Sequence, residues 1–181
     1  MAVTPKVQFV SCGQCYACLQ NKRVEWTFKL EQELKVSKTA WFITLTYNHD
    51  NLVFGENQIP TLYVADLQKF IKRCRQYQKR NTNSEQTIRY FACGEYGEKN
   101  DRPHYHLIMF NLHPKTLNNL QKLWSIYNKS NKTYDPIGQI KVGTVTTASI
   151  HYTTKYIINR LGEYDNKLKP FVIMSRKPPR S

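Results

Sequence analysis

Residues 88–96, IRYFACGEY, and 104–111, HYHLIMFN, are two runs of β-branched, aromatic and aliphatic residues separated only by the polar stretch GEKNDRP. A connection this short forces the two strands to pair antiparallel, and that hairpin constrains the chain more than any other feature. Side chains alternate between the faces of a strand, so His104 and His106 share one face and Tyr105 takes the other. If Glu95 lies opposite His104, then Cys93 lies opposite His106 and all four side chains project from one face. A slip of one residue would turn Glu95 away.

Two imidazoles and a carboxylate at one point suit a divalent cation. Oxygen and nitrogen donors with open positions favour Mn²⁺ or Mg²⁺ acting on phosphate, and the same set accepts Zn²⁺. Satisfied or solvated histidines are the alternative reading of His-x-His alone; Glu95 tips the pattern toward ligands. His49, His113 and His151 lack such company and are read as surface residues.

The spacing of the remaining segments predicts strands mixed with helices. Helices are expected over about 18–37, from Asp66 to about residue 80, over about 114–127 and over about 148–160; strands are expected at 41–48 (WFITLTYN) and 138–146. In the first helix Val24, Phe28, Leu30 and Leu34 form the apolar spacing. In the second, Leu67, Phe70, Ile71 and Cys74 form the stripe, with Lys69, Lys72, Arg73, Arg75, Lys79 and Arg80 outside. The fold class is α+β, a central antiparallel sheet with flanking helices, in a single domain over residues 1–181 with the Cys-rich segment 12–18 packed on it or appended to it.

The last helix, SIHYTTKYIINRLG, places Ile150, Thr154, Ile157, Ile158 and Leu161 on one side and Tyr152, Lys155, Tyr156 and Asn159 on the other. Either the tyrosines face a second packing surface, or they are nucleophiles. A phenol can attack a phosphodiester to form a phosphotyrosine if a cation such as Lys155 or a bound metal stabilises the phenolate.

The chain carries 27 lysines and arginines against 13 acidic residues, a net charge of +14. That surplus favours a polyanionic partner, nucleic acid first and an acidic membrane surface second. No apolar run approaches the ~20 residues of a membrane span, and MAVTPKVQFV lacks the regions of a signal peptide, so a soluble cytosolic protein is expected. Phosphate contacts are expected from Arg102, Lys72 and Arg73, and Tyr47, Tyr96 and Tyr105 are candidates to stack bases. Cys12, Cys15 and Cys18 follow C-x₂-C-x₂-C, without the fourth cysteine and proline of a ferredoxin run. They are either part of a structural Zn²⁺ site or reduced thiols near a helix start.

The order of these motifs resembles that of the HUH endonucleases that initiate rolling-circle replication. WFITLTYN looks like their first motif, PHYH like the second and HYTTKY like the third. More narrowly, CGQCYAC, FITLTYN, FACGEYGEKNDRPHYHLIMF and YTTKYI are similar to the replication initiators of the Microviridae, small single-stranded DNA phages, and especially of their gokushovirus branch. The resemblance implies Glu95, His104 and His106 as metal ligands and Tyr152 and Tyr156 as paired nucleophiles. Lys155 stands three residues after Tyr152, as in single-tyrosine initiators, and Asn159 stands at that offset from Tyr156; Tyr152 is therefore expected to cut first. The implied activity is nicking and joining of single-stranded origin DNA in the host bacterial cytoplasm, with host polymerase and helicase as partners. No GxxxxGK[ST] is present, in keeping with a joining step that needs no ATP. SRKPPRS resembles the start of a family stretch that usually continues, so the chain is expected to be a truncated or short form. A non-enzymatic RRM-like nucleic-acid-binding protein and an HUH transposase or relaxase remain the rival readings.

Overall fold

The computed structural model describes residues 10–98, 100–159 and 161–175. The readings of MAVTPKVQFV and SRKPPRS therefore fall, but for one residue each, outside the described residues. The chain runs α1 (Tyr16–Val36), β1 (Ala40–Thr46), α2 (Val64–Asn81), β2 (Arg89–Tyr96), β3 (Pro103–Phe110), the short α3 (Pro114–Leu117) and α4 (Leu120–Leu123), β4 (Ser125–Asn128), β5 (Thr133–Pro136), β6 (Ile140–Thr144), α5 (Thr147–Asn159) and β7 (Phe171–Met174).

Five strands form one antiparallel sheet in the order β6-β1-β3-β2-β7, which makes β3 the central strand. Alternation along β3 decides what each face buries. Tyr105, Leu107 and Met109 join Ile43 and Leu45 of β1 against Leu67, Phe70, Ile71 and Cys74 of α2. On the other face Ile108 and Phe110 pack with Phe91, Leu19 and Leu30 of α1, and Ile150 and Ile157 of α5. Helices therefore cover both sides of the sheet, and an apolar side chain in either layer stabilises the fold by roughly 1.5–3 kcal/mol. A buried hydrogen bond of 3.0 Å between Thr27 and Thr154 links α1 to α5.

Several elements depart from the sequence reading. The predicted helix at 114–127 is instead two single turns and the start of a hairpin, because Asn118 and Asn119 interrupt the first turn and Ile126 and Tyr127 pair with Asp135 and Tyr134. Helix α1 buries Leu19, Thr27 and Leu30, while Val24 and Phe28 are exposed, since only one narrow line of the helix meets α5 and the sheet. Leu161 lies past the end of α5 and is about half exposed. The edge strand β7, which pairs with β2, was not expected.

Two glycines are required by close approach. A Cβ on Gly138 would stand 1.9 Å from the Thr46 carbonyl oxygen, at the turn that leads into β6. One on Gly94 would stand 2.8 Å from the Phe171 ring, where β7 crosses β2.

Candidate active site

The hairpin register places Glu95 opposite His104 and Cys93 opposite His106. Glu95 is 5% exposed, and its Oε1 lies 2.7 Å from Nε2 of His104 and 2.7 Å from Nε2 of His106. The three donor atoms fall within 4.8 Å of one another. Burial alone would raise the Glu95 pKa, but hydrogen bonds and charge from His104 and His106 overcome it and hold the carboxyl at about 2. Burial opposes protonation of His104, yet its bonds to Glu95 and to the Arg102 carbonyl raise its pKa.

The outward nitrogens are held as well. His104 Nδ1 is 3.1 Å from the Arg102 carbonyl oxygen, which only accepts, so Nδ1 carries the proton. In the neutral ring Nε2 then presents a lone pair to the carboxylate, and a 2.7 Å contact there must be bridged by a second proton or by a cation. His106 Nδ1 meets Thr44 Oγ1 at 3.0 Å, and its ring stacks on Phe42. Orientation of each ligating imidazole through its far nitrogen is what divalent-metal sites use, so the donor set fits Mn²⁺, Mg²⁺ or Zn²⁺. Thr44 escaped the sequence reading although it lies within WFITLTYN; it meets His106 only because β1 pairs with β3 in this register.

Helix α5 brings the tyrosines to this point. Thr146 and Ser149 cap its start reciprocally: Thr146 N donates to Ser149 Oγ at 2.8 Å and Ser149 N to Thr146 Oγ1 at 3.2 Å. With Ile150, Thr154 and Ile157 buried, Tyr152 turns toward the cluster and donates its hydroxyl to Glu95 Oε1 at 3.0 Å. Its ring meets His106 edge to face at 5.2 Å. Burial and the Glu95 charge raise the Tyr152 pKa, so the resting phenol is protonated. Tyr156 packs against it at 5.6 Å, and Lys155 Nζ lies 4.2 Å from the Tyr152 ring centroid and 5.0 Å from that of Tyr156. Tyr152 is 38% exposed but Tyr156 only 4%, so the second tyrosine is more enclosed than its place on the helix wheel suggests. Both line an open cleft of about 470 Å³ with Glu95, Gly97, Arg102 and His104.

Other expected contacts are dispersed. Arg102 borders the cleft and donates to the Tyr47 carbonyl at 2.9 Å. Lys72 and Arg73 belong to α2, across the sheet from the histidines; Lys72 is exposed, whereas Arg73 is half-buried and donates to the Ser125 carbonyl. Arg75 likewise turns inward to the Ile88 carbonyl. Tyr47 and Tyr105 are buried, joined hydroxyl to hydroxyl at 2.9 Å, and cannot stack bases. Their face of the sheet is already covered by α2. Tyr96 is half-buried against Tyr164. His113 is not a bare surface residue: its Nδ1 accepts from Lys115 N at the start of α3. Cys12, Cys15 and Cys18 gather at the start of α1.

Among the described residues no helix is long and apolar enough to cross a membrane. No solved structure matches the chain. It is 33% identical over 163 residues to the replication-associated protein ORF2 of Spiroplasma virus 4, covering 87% of this chain and 50% of the relative. It is 28% identical over 178 residues to the replication-associated protein VP4 of Bdellovibrio phage phiMH2K, covering 92% of this chain and 54% of the relative. Against the replication-associated protein ORF4 of Chlamydia phage 1 the identity is 25% over 154 residues, covering 81% and 37%. The chain thus spans about half the length, or less, of these curated relatives. Residues 40–160, from the first strand of the sheet to the end of the tyrosine helix, match the family of replication-associated proteins of the ORF2 type, and the chain belongs to that family.

Proposed function

We propose that the protein initiates rolling-circle replication of a single-stranded DNA phage, nicking and rejoining single-stranded origin DNA in the host bacterial cytoplasm through a 5′-phosphotyrosine. The observation that carries this reading is the Tyr152 hydroxyl set 3.0 Å from Glu95 Oε1, beside two oriented imidazoles and open to a cleft. Family membership and the printed names of the relatives support a role in replication. Because the chain covers only part of those relatives, the activity is proposed for this domain.

Glu95, His104 and His106 would hold Mn²⁺ or Mg²⁺, which when bound supplies Lewis-acid polarisation of the scissile phosphate. The chain's own groups do the rest. Arg102 at the rim attracts the DNA backbone, and the cleft holds the phosphate near Tyr152. The Tyr152 proton is already directed at Glu95, so it moves toward that carboxylate as the phenolic oxygen bonds to phosphorus. The P–O3′ bond breaks and O3′ takes a proton from solvent, leaving a 3′-hydroxyl to prime a host polymerase while host helicase unwinds the duplex. Lys155 places positive charge beside both rings and favours either phenolate. Tyr156 would make the second cut, and exchange between phosphotyrosine and hydroxyl conserves the bond energy needed for joining.

The test is to incubate the protein with viral-strand DNA containing its origin and Mn²⁺, then denature. A covalent adduct is expected, lost in Tyr152→Phe at the first cut. An undiminished adduct in the Tyr152→Phe, Tyr156→Phe double variant would refute the nucleophile assignment, and binding with no adduct from the intact protein would favour the non-enzymatic alternative.

A further inference from the structure

The three clustered thiols take no part in the chemistry above. Gly13 adopts a positive φ of 72° and turns the chain back between Cys12 and the start of α1. Cys15 is the N-cap residue of α1, and Cys18 follows within the first turn. The three Sγ atoms lie within 4.8 Å of one another, and those of Cys12 and Cys18 are 3.7 Å apart. That separation is too long for a disulfide, whose sulfurs stand about 2.05 Å apart. It matches the edge of a tetrahedron with Zn–S bonds of about 2.3 Å, which is about 3.8 Å. The Cys15 N–H also donates to Cys12 Sγ at 3.3 Å, a bond that favours thiolate and fixes its orientation. Among the described residues no fourth histidine, cysteine or carboxylate joins the group.

We propose that Cys12, Cys15 and Cys18 bind one Zn²⁺ through three thiolates, with the fourth position filled by water or an added ligand, as a structural site separate from Glu95, His104 and His106. Zinc there ties the turn at Gly13 to the first turn of α1. Through the Thr27–Thr154 bond and the shared apolar layer, it steadies the helix against which the tyrosine helix packs.

The remaining two cysteines give the experiment an internal control, because Cys74 and Cys93 are fully buried and should stay unreactive in the folded chain. Metal-free protein is alkylated with and without one equivalent of Zn²⁺, and each cysteine is followed by peptide mass spectrometry. Zinc should slow Cys12, Cys15 and Cys18 together by about tenfold or more. Unchanged rates at all three, or protection of only one, would overturn the proposal. Co²⁺ provides a second readout: the intact protein should show a thiolate-to-cobalt charge-transfer band in the near ultraviolet. The band should persist when His104 and His106 are both changed to alanine and vanish in the Cys12→Ser, Cys15→Ser, Cys18→Ser triple variant. A band lost with the histidines would assign the metal to the other cluster. DNA adduct formation plays no part in either measurement, so the zinc site and the nicking activity can fail independently.

Discussion

Replacing Glu95 with glutamine should expose how the two imidazoles and the carboxylate share charge. The substitution retains the size and one acceptor oxygen but removes the negative charge contacted by His104, His106 and Tyr152. In the native protein the carboxyl is held at about 2 against its ordinary 4.5. Its contribution is present above pH 4.5 and fades as pH falls through about 2. His104 behaves oppositely: its pKa is raised above 6.5, so its contribution is complete below 6.5 and lost as pH rises through the raised value. Both are complete only between about pH 4.5 and 6.5. At ~1.4 kcal/mol per pH unit the Glu95 shift corresponds to ~3 kcal/mol. At ~2–4 °C per kcal/mol for a chain of this size, Glu95→Gln should melt ~6–12 °C below the native protein in that window. The gap should narrow on either side. Mn²⁺ requires unprotonated imidazoles, so it should stabilise the native protein increasingly above pH 7 and Glu95→Gln much less. Thermal melts from pH 3 to 8.5, with chelator and with Mn²⁺, read both effects. A gap that stays flat across pH would refute the charge coupling, and an equal Mn²⁺ shift in both proteins would refute Glu95 as a ligand.

Thr44→Val keeps the side-chain shape but removes the oxygen facing His106 Nδ1, and should weaken Mn²⁺ binding by ~10-fold in a calorimetric titration with little change in secondary structure. Tyr105→Phe leaves the Tyr63 N–H, at the start of α2, without its acceptor at 2.9 Å; a loss of ~1–3 kcal/mol in urea unfolding is expected, with Mn²⁺ affinity unchanged. Gly138→Ala drives a methyl into the Thr46 carbonyl, so soluble yield and melting temperature should fall sharply, by ~3 kcal/mol or more. A native melting temperature in that variant would show that the turn into β6 is not as tight as described.

The helix α2 stripe and the β2–β3 hairpin were legible because their periodicities and the short connection leave few alternatives, and Glu95 opposite His104 followed from alternation alone. The same local logic misread residues 114–127, where the pairing of Tyr127 with Tyr134 competes with helix formation and succeeds only once both strands exist. Local pattern also offered Tyr105 and Tyr47 to bases, whereas α2 covers their side of the sheet. Arg73 read as part of a solvated basic face but turns to the Ser125 carbonyl. The sequence by itself determined the strand alternation that puts two histidines and a glutamate on one face, and the helical spacing that puts two tyrosines one turn apart. Only the tertiary structure decided that those faces meet, that Thr44 orients His106 and that Tyr156 is the more enclosed tyrosine, because such contacts join residues far apart in the chain through strand order and helix packing, which no local periodicity encodes.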